Sequence, residues 1–258
     1  MCLIVFSFKD QSPFFQQKNS SEKEFILLAN RDEFYDRPTL SMRWWGTNNN
    51  ILSGLDQLGG GTWFGVTKNG KFAAITNFRE RKEEKFTTSR GELVSNYLTE
   101  DSVSAEDYLS NLNKNHYAGF NLLLGTKKKI LYFSNRHPKP IHLTEGIHIL
   151  ANNNLNSPTE KVKKTKRDFE ELAKNPFESR KAIEFMKSDQ SPQENFLLEN
   201  NEQDKLEEIP FRFIKSEVYG TRSTTLFSFN SEGAYEITEQ NYAKNGKKLN
   251  SKDFRFTT

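Results

Sequence analysis

The sequence predicts an α+β fold in which two mainly antiparallel sheets carry helices on their outer faces. Three observations predict it. Short runs rich in Val, Ile, Leu and Phe recur along the 258 residues, each bounded by polar turn residues. These runs fall in blocks, and two pairs of helical segments separate the blocks. No repeat recurs at a fixed period, which argues against a solenoid or propeller. The length supports a substantial core, and residues 1–258 read as a single domain.

MCLIVFSF opens the chain as a strand, because Leu3, Ile4, Val5 and Phe6 are bulky and polar Lys9-Asp10 follow. It has neither the basic flank nor the small-residue cleavage site of a signal peptide. FILLAN (25–30) is the next strand, across a polar connection over 9–23. Neighbouring strands usually pair, and antiparallel pairing sets position 2 opposite a position near 30. Cys2 then meets Asn30-Arg31-Asp32-Glu33. GTWFGVTK (61–68), Asn69-Gly70 and KFAAITN (71–77) spell a hairpin with a type I′ turn, preceded by the turn-forming Gly59-Gly60-Gly61. GELVSNYL (91–98) and AEDYLSNL (105–112) read as helices with acidic first turns. FNLLLG (120–125) and ILYFSN (130–135) pair around Lys127-Lys128-Lys129, and IHILAN (147–152) is a further strand. Helices follow over 160–174 and 178–187, and the KVKKTKR run in the first reads as a solvated face. Residues 189–210, polar and mostly acidic, read as a surface excursion. TRSTTLFSF (221–229) and AYEITEQ (234–240) close the chain as strands, with a short one near 253–257.

Composition narrows the function. Lys+Arg 37 against Asp+Glu 34 gives a formal charge of +3, too balanced for a dedicated nucleic-acid binder. The single cysteine excludes an intrachain disulfide framework and a cysteine-based zinc cluster, and fits a reducing, cytoplasmic setting. No metal site is expected. No apolar stretch approaches the roughly 20 residues of a membrane span. Lipid attachment at Cys2 is a rival reading, but its flank lacks the second signal that stable anchoring needs.

Chemistry concentrates at that cysteine. Removal of Met1 would leave Cys2 with a thiol and a free α-amine on one residue. None of His116, His137, His142 and His148 has a spacing that marks it as the partner base. The amine can serve instead, since its reference pKa is about 7.7–8.0 against about 8.5 for the thiol. Arg31 or Arg222 nearby would favour the thiolate, and Asp32 could orient the ammonium. Three apolar strands end in asparagine, at Asn30, Asn77 and Asn152. The plain reading is a turn residue at a strand end; the functional one is a carboxamide donor for an oxyanion. Trp44, Trp45 and Trp63 are candidate pocket walls, although a tryptophan is more often core.

MCLIVFSF, NRDEF (30–34), RP (37–38), ILSGLD (51–56), GGTWFGV (60–66), AAITNFRE (73–80), RGELV (90–94), GFNLL (119–123) and YGTR (219–222) closely resemble the NRDE family, which includes the transport and Golgi organisation protein 2 group. The resemblance runs nearly end to end, weakest across 160–215. It implies an N-terminal-nucleophile hydrolase-like four-layer αββα sandwich, related to choloylglycine hydrolase and penicillin V acylase. By that resemblance Cys2 matches the nucleophile, Asn77 the oxyanion asparagine, Asn152 the second asparagine and Arg222 the later arginine. Those hydrolases place Arg and Asp three apart; here Arg31-Asp32 are adjacent, and Asn30 and Glu33 have that spacing, which marks the latter pair as ligand-binding candidates.

Two readings follow. In the first, the chain is an N-terminal-cysteine hydrolase or acyltransferase-type enzyme acting on a small amide or acyl thioester, with no cofactor required. In the second, which the resemblance brings in, the same cleft binds and carries haem or a lipid or acyl-CoA ligand without turnover. Either way the expected partner is a small molecule.

Overall fold

The computed structural model describes residues 2–8, 23–45, 50–80, 86–189 and 211–258. Most of the 9–23 connection and of the 189–210 excursion lies outside the described residues. The elements run β1 (Cys2–Phe8), β2 (Lys23–Phe34), β3 (Thr39–Trp45), β4 (Ile51–Asp56), β5 (Phe64–Thr67), β6 (Phe72–Asn77), α1 (Gly91–Thr99), α2 (Ala105–Ser110), β7 (Phe120–Thr126), β8 (Lys129–Ser134), β9 (Ile141–His142), β10 (Gly146–Leu150), α3 (Glu160–Leu172), α4 (Ser179–Ser188), β11 (Tyr219–Asn230), β12 (Ala234–Ala243) and β13 (Lys247–Thr257). The strands form two antiparallel sheets, so the α+β class expected from the sequence is the class observed. The chain divides into two compact units, one for each sheet.

The first unit comprises Met1–Asp36, Thr144–Ala151 and Leu155–Thr257. Its six strands lie in the order β10-β1-β2-β11-β12-β13. Register pairs Cys2 with Arg31, Leu3 with Asn30 and Val5 with Leu28. Alternate side chains take opposite faces of a strand. Leu3, Val5, Ile26 and Leu28 therefore share one face, where they pack against Val162 and Phe169 of α3 and Ala182 and Met186 of α4. The other face carries aromatics, with Phe25 stacked on Phe229 at 5.1 Å and Phe6 on His148 at 5.1 Å.

The second unit comprises Arg37–Leu143, Asn152–Asn154 and Thr258. Its seven strands, β3 to β9, follow one another in chain order, a plain meander. Leu93, Val94, Tyr97 and Leu98 of α1 are buried with Ala73, Ile75, Leu122 and Leu124 of the sheet. The glycine-rich turn before β5 makes this close seating feasible. A Cβ on Gly61 would lie 2.2 Å from the Gly91 carbonyl carbon at the start of α1.

Three expectations change. TLSMRWW and ILSGLD form β3 and β4, which alternation alone did not mark as strands. β13 spans 11 residues rather than a short terminal run. The β5–β6 hairpin does not turn as type I′, because Gly70 (φ 81) alone in the turn has positive φ. The Gly70 N–H donates to the Thr67 carbonyl at 2.9 Å and the Thr67 N–H to the Lys71 carbonyl at 2.8 Å. That is a tight turn closed by a left-handed glycine, and the Asn69 side chain is held by the Thr67 hydroxyl.

Candidate active site

Cys2 is the first residue of β1, half-buried and directly opposite buried Arg31. β2 does not stop at Asn30 but runs on through Phe34, so Arg31, Asp32 and Glu33 are strand residues with fixed register. The Asp32 backbone follows Arg31 on β2, next to the Cys2 position. Burial pushes the Cys2 thiol above its ordinary value; the N-terminal amine opposes this, Asp32 adds to it, and the Asp32 N–H and Arg31 guanidinium favour the thiolate. Arg31 and Asp32 are 5% and 3% exposed, which is unusual for charged side chains and requires compensation.

Asp32 shows where that compensation comes from. Its Oδ1 accepts from the Thr221 hydroxyl at 2.6 Å. Burial pushes the carboxyl up, against the N-terminal amine, Lys161, the Thr221 hydroxyl and Arg31, all of which favour the anion. The Tyr35 phenol is pushed up to about 12, by burial first and by Asp32 second. Gly220 admits that phenol, since a Cβ there would lie 2.4 Å from the Tyr35 oxygen.

β11 reaches this cluster through a bulge. Thr221 pairs with Asp32 and Ser223 with Arg31, leaving Arg222 as the extra residue. Bulges of this kind re-aim a side chain. The Arg222 Nη1 donates to the Phe34 carbonyl at 3.0 Å, tying β11 to the end of β2. Glu33 Oε1 accepts from the Phe34 N–H at 2.9 Å. Asn30 has a different environment from the rest of its run. Its Nδ2 donates to the carbonyls of Met186 at 3.1 Å and Arg212 at 2.7 Å, and its Oδ1 accepts from the Thr224 hydroxyl at 2.6 Å. The carboxamide is fully engaged by protein groups.

The second unit holds the other named residues. Asn77 ends β6, and Asn152 Nδ2 donates to its carbonyl at 2.9 Å. The Arg79 N–H donates to the Asn152 carbonyl at 2.7 Å, which fixes the pair. Trp44, Trp45 and Trp63 are all half-buried. Trp45 Nε1 donates to the Ser53 carbonyl at 2.9 Å, Trp63 lies against Gly54, and the Lys68 ammonium sits 5.3 Å from the Trp44 ring centre. Trp45 and Trp63 pack against the core of this unit. The structure thus brings Cys2, Arg31, Asp32 and the Arg222 bulge together in the first unit, and Asn77 with Asn152 in the second. Among the described residues no group of three or more His, Cys, Asp or Glu is placed to hold a metal ion. No described helix is long and apolar enough to cross a membrane.

The family model described as Transport and Golgi organisation 2 matches residues 1–244. The chain belongs to that family. It is 33% identical to the Transport and Golgi organization 2 homolog of Mus musculus, over all of this chain and 99% of the mouse protein. It is 34% identical to the Transport and Golgi organization protein 2 homolog of Homo sapiens, over 93% of this chain and 92% of the human one. Among solved structures, a Caenorhabditis elegans N-acylethanolamine-hydrolyzing acid amidase ortholog superposes with a TM-score of 0.51 at 11% identity. The match covers 87% of this chain and 92% of that one, so the fold is shared.

One residue of this Transport and Golgi organisation 2 family member escaped sequence reading. The KVKKTKR run is mostly a solvated face, as expected, but Lys161 is only 2% exposed. It shares the inward stripe of α3 with Val162, Thr165 and Phe169. The signal was available, because positions 161, 165 and 169 follow helical spacing into the apolar face.

Proposed function

We propose that this chain is a cysteine hydrolase of the N-terminal-nucleophile type, acting on a small amide or an acyl thioester. The observation that carries the reading is Cys2 itself. It stands at the first position of β1, directly opposite buried Arg31 and beside the Asp32 position of β2. Burial keeps this thiol protonated at neutral pH, so it needs a base within reach. Once Met1 is removed, the α-amine of Cys2 takes the thiol proton. The thiolate attacks the carbonyl carbon, and the tetrahedral oxyanion collapses to a thioester as the leaving group takes a proton from the ammonium. Water, deprotonated by the same amine, then releases the acid. On the family resemblance, Arg31 and Arg222 are assigned as the cations that favour the thiolate and Asp32 as the anchor of the ammonium.

The test combines intact mass with turnover. The purified protein should lack its initiator methionine and hydrolyse members of a panel of N-acyl amides and acyl thioesters. Cys2→Ala should lower kcat at least about 10³-fold. Retained Met1, or a Cys2→Ala protein as active as wild type, would sink the reading. Saturable binding of haem or an acyl-CoA without any turnover would make the chain a carrier instead.

A further inference from the structure

Lys161 occupies a place that is unfavourable for a cation twice over. It is 2% exposed, and it lies in the first turn of α3, where the helix macrodipole repels positive charge. A buried ammonium persists in such a place when an anion compensates it. Strand register supplies that anion. Leu3 pairs with Asn30, and Leu3, Val5 and Leu28 pack against Val162 and Phe169 of α3. Asp32, two residues beyond Asn30, projects from the same helix-covered face. Its carboxylate, 3% exposed, is also near Arg31 of its own strand and the phenol of Tyr35, and its Oδ1 takes the Thr221 hydroxyl.

We propose that Lys161 is a positioning residue for the Cys2 centre, its buried ammonium keeping Asp32 an anion so that the carboxylate can hold the amine beside the thiol. Opposing forces act on Asp32, and the lysine is one of those that favour the anion. Burial is the largest influence on this carboxyl and drives it towards the neutral acid. Arg31 also stands opposite Cys2 and is shared with it. Lys161 comes from behind the sheet and acts on the carboxylate without competing for the thiol. Removing it would push Asp32 further towards the neutral acid, which is a poor anchor for an ammonium.

This deepens the hydrolase reading and rests on it for its purpose, but its test needs no substrate. Protein labelled with [13C]aspartate, with Asp32→Asn used to assign the resonance, gives the carboxyl titration directly. Lys161→Met should raise the Asp32 midpoint by about one pH unit or more, the scale of losing one close opposite charge. Lys161→Arg should return it to the wild-type value. A residue that only fills space would lower stability in Lys161→Met and leave the midpoint where it was, and that result overturns the proposal. Should Lys161→Met fail to fold, the Asp32→Asn/Lys161→Met double variant decides. Its urea midpoint should exceed that of Asp32→Asn alone, because it no longer buries a lone ammonium; a midpoint no higher overturns the pairing. Absence of turnover in wild type, with the titration shift present, removes the hydrolase reading but not the pairing.

Discussion

Asn30→Ala is expected to destabilise the first unit by about 3–5 kcal/mol. The carboxamide satisfies the Met186 carbonyl, the Arg212 carbonyl and the Thr224 hydroxyl, all through bonds buried within the unit. Truncation to alanine strands those three groups together. Each buried polar group left unpaired costs about 1–3 kcal/mol, so three of them give at least about 3, with water entry limiting the upper end. A loss of that size is a large share of the about 5–15 kcal/mol that holds a typical domain folded. Thr224→Val removes one donor only and should cost about 1 kcal/mol. Asn30→Asp should be no better than alanine, since it replaces two donors with a carboxylate facing two carbonyl oxygens. Urea unfolding followed by far-UV circular dichroism is the suitable assay, because Trp44, Trp45 and Trp63 all belong to the second unit and their fluorescence reports that unit directly. An Asn30→Ala protein within about 1 kcal/mol of wild type would refute the claim that this asparagine works as a clamp.

Two further variants probe the same unit. Gly220→Ala should cost about 1–3 kcal/mol, because the new methyl would meet the Tyr35 oxygen at 2.4 Å and the Ile214 carbonyl oxygen at 2.8 Å; adding Tyr35→Phe should recover part of the loss, and a neutral Gly220→Ala would show that the phenol is free to move aside. His148 donates from Nε2 to the Thr144 carbonyl at 3.0 Å and accepts at Nδ1 from Asn156 at 3.1 Å, so both nitrogens suit the neutral ring. Burial holds its pKa below the ordinary value, with Lys166 adding to this and the Thr144 bond opposing it. The unfolded state therefore binds the proton more readily, and stability present above the unfolded pKa of about 6.5 falls as pH drops below it. His148→Gln should flatten the fall in urea midpoint between about pH 7 and pH 5, and an unchanged slope would exclude His148 as its source.

The first strand pairing was legible because two adjacent apolar runs leave few alternatives, and Cys2 does face the polar tetrad. What that tetrad does was harder to read. Asn30, Asn77 and Asn152 look alike as strand-ending asparagines, yet Asn30 lies inside β2 and its amide is spent on two carbonyls contributed from far along the chain. Those partners, Met186 and Arg212, leave no local trace in LLAN. β3 and β4 were missed because TLSMRWW and ILSGLD mix exposed, half-buried and buried positions without clean alternation. Lys161 was missed for a compositional reason. Five of the seven residues in KVKKTKR are basic, and charge overwhelmed the helical phase that turns one of them inward.

The Arg222 bulge changes the parity of β11. Thr221 and Thr224 are three apart, so in a regular strand their side chains would point in opposite directions. Their hydroxyls instead reach Asp32 and Asn30, which are two apart on β2 and point the same way. The inserted arginine makes an odd spacing behave as an even one. Deletion of Arg222 would set Thr221 and Thr224 two apart, the regular spacing for one face, so both hydroxyls would keep Asp32 and Asn30 while the guanidinium, its bond to the Phe34 carbonyl and the local bend of the strand are lost together. Arg222→Ala keeps the bulge and loses only the guanidinium, whereas deletion of Arg222 loses the bulge as well, so the two separate the side chain's contribution from that of the bend.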